Sequence, residues 1–214
     1  MQRGNDAAFK FEQEANFWYL TGINEPDWRL IIDGKRHKSW LVRPEISDVH
    51  QTFDGSLDSD EAIRISGVDG VLTMDEATRM LRDLSLQHSV VYALSDPPHL
   101  EYYDFVLNPA QKKLWRNLST IFNDVQDCRL DISKLRVVKQ PEEIEAIKKA
   151  IKLTNDSFAL VKQKLNSLKH EHEIEAEFNY AFTKKQATHA YDPIVAGGLN
   201  ACTLHYDKNN SRLK

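Results

Sequence analysis

From Pro141 to Leu168, apolar side chains return at spacings of three and four: Ile144, Ile147, Ile151, Phe158, Val161, Leu165 and Leu168, with Thr154 as the polar interruption. Nothing else in the sequence constrains the fold as much. A helix of about seven turns with one apolar seam must lay that seam against something. Pro141 at the first position, Glu142 and Glu143 in the first turn and several lysines further on match the polarity of a helix. Such a seam can zip into a coiled coil, but a helix packed across a sheet is the expectation here. The residues before it have a different character, with short aromatic and β-branched runs separated by turns. We therefore read two domains, 1–138 and 139–214.

In the front half, "NFWYLTG" (16–22), "WRLIID" (28–33) and "HKSWLVR" (37–43) read as strands, with Gly34 suiting a tight hairpin between the last two. Val71 and Leu72 make a further brief strand. Thr73 and Glu76 have capping-box spacing, and Ala77, Met80, Leu81 and Leu84 give the helix that follows one apolar face. "SVVYAL" (89–94) is again strand, ended by Pro97 and Pro98. "NPAQKKLWRNLSTIF" is a helix with Asn108 as cap, Pro109 at its first position and Leu114, Leu118 and Ile121 inward. Strand, helix and strand in this order give an α/β domain whose sheet is covered by helices. The turn Asp96 to His99 and the aromatic "EYYDF" after it are read as packing rather than a binding surface. "RPEISDVHQTFDGSLDSDEA" is read as an acidic loop. Its Asp48, His50 and Asp54 lack EF-hand or zinc spacing and are not taken as a metal site.

In the second half, "HEHEIEAEFNYAFTKKQA" forms a helix with Ile174, Phe178 and Ala181 inward. His170 and His172 stand two apart at its start, so on a helix they should diverge, and they are read as solvated capping residues. H-E-x-x-H is absent. "DPIVA", "GGLN" and "ACTLHY" then read as strand, turn and strand, with Gly197 and Gly198 permitting a tight or left-handed backbone. On the last strand Cys202, Leu204 and Tyr206 would share one face, with Thr203 and His205 on the other. That separation argues against a Cys202–His205 dyad. From pattern alone, His205 is either a partly buried structural histidine or a donor or acceptor at the edge of a site.

Composition excludes several classes. The formal charge is −4, from 28 basic and 32 acidic side chains spread without a basic stripe, so no nucleic-acid partner is expected. No window approaches 18 apolar residues, so no membrane partner is expected. Cys128 and Cys202 have no CxxC spacing and are read as reduced thiols. The opening "MQRGNDAAFKFEQEANF" lacks the apolar stretch of a signal peptide, and the expected location is the cytoplasm.

Three stretches together resemble one family. "FEQEANFWYLTGINEP", "LRVVKQPEEIEAIKKA" and "DPIVAGGLNACTLHY" are similar, in order and spacing, to Xaa-Pro aminopeptidase (aminopeptidase P) and the related proline dipeptidases. The resemblance implies a mixed-sheet, creatinase-like N-terminal domain with covering helices, followed by the first part of a pita-bread α+β domain. It also implies removal of the N-terminal residue from peptides with proline second. Two divalent ions, commonly manganese, would be held by two aspartates, one histidine and two glutamates, all lying beyond Lys214 in the family pattern. His205 matches a family histidine that contacts substrate, Asn200 and Tyr206 would fix the strand and its turn, and Asp207 is not carried over as a ligand. By this resemblance the chain alone holds no metal and is inactive, the complete protein is a homo-oligomer, and residues 141–214 expose a face that is covered in the family. Two departures accompany the missing ligands: the N-terminal segment is short, and the tryptophan that relatives carry near Thr52 is lacking. The alternatives are a proline dipeptidase, a non-catalytic self-association or peptide-binding module, and creatinase-like chemistry without metal.

Overall fold

The computed structural model describes residues 10–95 and 109–213. The chain divides into two compact units, Met1–Val137 and Val138–Lys214.

In the first unit, β1 (Arg29–Asp33) and β2 (Lys38–Val42) form an antiparallel hairpin, with Arg29 opposite Val42 and Asp33 opposite Lys38. The Asp33 carboxylate closes the turn by accepting from the Lys35 and Arg36 amides at 3.0 and 3.1 Å. The left-handed residue of this connection is His37, at φ 53°, rather than Gly34. β3 (Gly70–Leu72) joins β2 in parallel, Leu41 opposite Val71, so the three-stranded sheet is mixed. A parallel neighbour needs a crossover. Here it is built from α2 (Asp48–Phe53) and α3 (Ser59–Ser66), in the stretch expected to be loop. Ser47 and Asp58 start these helices by accepting from the His50 and Glu61 amides at 3.2 and 2.9 Å, which the acidic composition concealed.

"NFWYLTG" is also not a strand. It forms α1 (Ala15–Thr21): Glu14 accepts from the Phe17 amide at 2.8 Å, and Gly22 ends the helix at φ 69° with its amide on the Trp18 carbonyl. Capping at both ends overrides the β propensity of Phe17, Trp18 and Tyr19. Ile23, Trp28, Leu41, Ala62 and Val68 are buried together beneath these elements.

The capping box of Thr73 and Glu76 starts α4 (Met74–Ser85) as expected. β4 (Val90–Ala93) pairs in parallel with β5 (Asp124–Asp127), and α5 (Pro109–Ser119) lies between them in sequence. Leu84 of α4 is buried with Leu118 and Phe122, and Leu114 and Ile121 pack on them. α6 (Arg129–Val137) closes the unit. The turn Asp96 to His99, "EYYDF" and Asn108 lie outside the described residues.

The second unit is an α7 (Pro141–Lys164) and α8 (Glu171–Thr183) pair joined through a 3-10 turn, Leu165–Ser167. Phe158 meets Phe178 edge-on at 4.8 Å, and Lys164 reaches Glu177 at 2.7 Å. Among the described residues of this unit there is no sheet for the long seam to cross: Ser157 and Val161 are the buried α7 positions, whereas Ile144, Ile147 and Ile151 are 42, 46 and 54% exposed. Nor do "DPIVA" and "ACTLHY" form strands. Gly198–Cys202 is a 3-10 turn, and the β-type pairing among the described residues of this unit is a single bridge between His170 and Arg212. Several backbone donors of this tail are satisfied by side chains instead of a neighbouring strand.

Among the described residues no helix is long and apolar enough to cross a membrane.

Candidate functional site

The tail is organised around one carboxylate. Glu171 opens α8 and is fully buried. Its Oε1 accepts from the Gly197 amide at 2.8 Å and from Asn200 Nδ2 at 3.0 Å. Its Oε2 accepts from the Tyr206 hydroxyl at 2.7 Å and from the Ser211 amide at 2.9 Å. Burial pushes the Glu171 carboxyl up, but these four donors outweigh it and hold its pKa down at about 2. An ionised carboxylate offers about four lone-pair sites, and all four are engaged. Glu171 therefore has no capacity left to accept a substrate proton; its role is to anchor Gly197, Asn200, Tyr206 and Ser211.

A second buried polar side chain finishes the arrangement. Asn209, at φ 43°, accepts from the Val195 amide at 2.9 Å and donates to the Pro193 carbonyl and to Glu175 at 2.8 and 3.0 Å. Asparagine is among the few non-glycine residues that adopt this backbone readily. Gly198, at φ 56°, supplies the left-handed residue expected of the glycine pair. Asn200 and Tyr206 do fix the turn, through Glu171.

His205 sits in a turn beside the buried Tyr206 and is exposed, as are Cys202 and Asp207. His205 is therefore not partly buried in this structure, and there is no strand to place Cys202 and His205 on opposite faces. Both cysteines are free thiols.

His170 and His172 do not diverge. His170 is the extended residue before the helix (φ −132°, ψ 155°), so helical spacing does not apply to the pair, and their rings stack at 5.2 Å. His170, His172 and Glu173 each offer a ligand atom, and these lie within 4.8 Å of one another. The Lys169 amide, donating to Glu173 Oε2 at 2.6 Å, is the main reason that carboxyl is held below its ordinary range. Asp48, His50 and Asp54 form no such group; His50 pairs with Asp54 alone, at 3.5 Å.

Both units have relatives. The family "Aminopeptidase P, N-terminal domain" matches residues 1–92, and "Metallopeptidase family M24" matches residues 145–214. Xaa-Pro aminopeptidase 3 of Homo sapiens is 32% identical over 98% of this chain and 42% of its own length. Xaa-Pro aminopeptidase of Escherichia coli is 28% identical over 99% of the chain and 49% of its own. The chain belongs to the Xaa-Pro aminopeptidase family. Aminopeptidase P from Escherichia coli, in its low-pH form, superposes with a TM-score of 0.78 at 26% identity, covering all of this chain and 50% of that one. Proline aminopeptidase P II from Yersinia pestis gives 0.76 at 27%, with the same coverage. The chain thus spans about half the length of the relatives it matches.

The metal-ligand cluster among the described residues is incomplete for the metallopeptidase family that the second unit matches. Among the described residues, the grouped donors are two histidines and one carboxylate, without the several carboxylates that would bridge and space a metal pair. They do not fit a dinuclear centre. Sequence reasoning missed Glu171 altogether. Its partners lie 26 to 40 residues away, and no local spacing announces them.

Proposed function

We propose that this chain supplies the N-terminal domain and the opening part of the peptidase domain of a metal-dependent exopeptidase. That enzyme would release the N-terminal residue from peptides with proline in second position. The observation that carries the proposal is the ordered match of both units, with whole-chain similarity to Xaa-Pro aminopeptidases from a mammal and a bacterium. A solved structure of the Escherichia coli relative with the inhibitor Pro-Leu, 28% identical to this chain, supports a proline-containing substrate.

Within this proposal, His205 positions the substrate. Its turn is fixed next door by the Tyr206–Glu171 hydrogen bond, while its own ring stays exposed and free to meet a ligand. Two divalent ions, manganese first, belong to the complete enzyme, and the 214 residues alone leave Xaa-Pro peptides intact. The exposed Ile144, Ile147 and Ile151 are consistent with cover from further protein, and we include a homo-oligomer in the proposal. The free cysteines suit a reducing compartment, here taken to be the cytoplasm.

The test compares the 214-residue chain with the complete product of its open reading frame on an Xaa-Pro-Xaa tripeptide, with and without manganese. Manganese-dependent release by the complete product alone is expected. A reading frame that closes at Lys214, or a product that leaves the tripeptide intact, overturns the proposal in favour of a non-catalytic module.

A further inference from the structure

We propose that His170, His172 and Glu173 form a binding site for one divalent transition-metal ion of the zinc class. This inference stands on the local geometry and does not depend on the peptidase reading.

The donors are of the right kind. Two imidazoles and a carboxylate suit zinc, nickel or copper, whereas magnesium and calcium prefer oxygen throughout. The distances also suit a metal. His170 Nδ1 lies 3.4 Å from Glu173 Oε1, which is long for a charged hydrogen bond. It does match the separation, about 3.4 Å, of two tetrahedral ligands that are each about 2.0–2.1 Å from one zinc ion. The His172 ring lies almost parallel to that of His170, 19° apart, with its ligand atom within 4.8 Å of the other two. Closing the third edge asks for a shift of about 1.4 Å at an exposed side chain, within reach of a rotamer adjustment.

The surroundings hold the donors in place. Glu173 is oriented by the Lys169 amide on its other oxygen, an outer-shell contact of the kind that fixes metal-binding carboxylates. The backbone of His170 is tied to the tail through its bridge to Arg212 and through the neighbouring Leu213 amide on the Lys169 carbonyl at 2.8 Å. The positive end of a helix works against a cation, but Glu171 and Glu173 each set a negative charge in that first turn. With three protein donors the ion keeps at least one open position. It would staple the extended approach to α8 onto the helix's first turn, next to the Glu171 anchor.

The test is calorimetric titration of the 214-residue chain with zinc and separately with manganese. One zinc per chain is expected, bound more tightly than manganese as the Irving–Williams order requires. His172→Ala, at an exposed position, should keep the unfolding temperature of the metal-free chain and weaken zinc by about tenfold or more, at least the cost of losing an outer-shell partner. Glu173→Gln should weaken it as well, and His205→Ala should leave it unchanged. Absence of zinc binding, zinc bound equally well by His172→Ala, or zinc lost in His205→Ala instead, would each overturn the proposal.

Discussion

Replacing Tyr206 by Phe removes one oxygen and leaves the ring in place. In the native chain that oxygen donates to Glu171 Oε2 at 2.7 Å and accepts from Asn200 Nδ2 at 3.1 Å, in a region where Tyr206 is only 9% exposed. Without it, one lone pair of a buried ionised carboxylate loses its donor and no water has easy access. A hydrogen bond from Tyr206 to a charged acceptor is worth about 1.5–3 kcal/mol net. At about 1.4 kcal/mol per decade, this becomes a roughly ten- to 150-fold rise in local opening. Amide hydrogen exchange followed by NMR reads this directly, because the Gly197 and Ser211 amides donate to the same carboxylate at 2.8 and 2.9 Å. Both should exchange faster by that factor in Tyr206→Phe, while the β2 amides of the first unit keep their rates. If Gly197 and Ser211 exchange as in the wild type, Glu171 does not organise the tail and the reasoning fails.

Other perturbations separate the remaining parts. Burial raises the Asp127 carboxyl, but hydrogen bonds from Arg129 and Ser95 outweigh it and set its pKa at about 2, below the ordinary 3.8. A depressed folded-state value stabilises fully above the unfolded pKa and is lost as pH falls through the folded one. The first unit should therefore lose stability between about pH 4 and 2 through this group. Asp127→Asn should flatten that part of the unfolding-versus-pH curve, and an unchanged slope would contradict the assignment. Leu41→Ala, at a fully buried position, should cost about 2–5 kcal/mol by urea unfolding, whereas Leu86→Ala, at an exposed one, should stay within about 0.5 kcal/mol. In the complete enzyme, His205→Ala should lower kcat/KM by roughly 100- to 1,000-fold with metal content unchanged, as for loss of one positioned polar group. An unaltered rate would release His205 from its proposed role.

The legible parts of the sequence were those decided by neighbours. The Thr73–Glu76 capping box, the β1–β2 hairpin and the apolar face of α4 are all set within a few residues, and each is present. In α1 aromatic content points to strand, but the two ends decide for helix. Glu14, which caps its start, lies before the aromatic run, and Gly22, which ends it, is the run's last residue. In the tail the deciding residues are distant instead. Alternating "ACTLHY" looks like strand, yet the conformation is set by Glu171 and Asn209, buried polar side chains whose partners lie up to 40 residues away. The stacking of His170 and His172 was hidden by one residue of helix boundary, since His170 precedes the helix and escapes its rotation. The seam of α7 was recognised as apolar, but periodicity cannot say what covers it. In this structure its Ile144, Ile147 and Ile151 remain substantially exposed.

The most direct measurement is the identity of the product that the complete protein releases from matched peptides. Xaa-Pro-Xaa and Xaa-Ala-Xaa tripeptides and an Xaa-Pro dipeptide would each be incubated with manganese and resolved by mass spectrometry. The account predicts the free N-terminal residue and a Pro-Xaa remainder from the first, with the alanine tripeptide left intact. Cleavage of the dipeptide alone, cleavage at any other bond, or no cleavage of the proline tripeptide would contradict it.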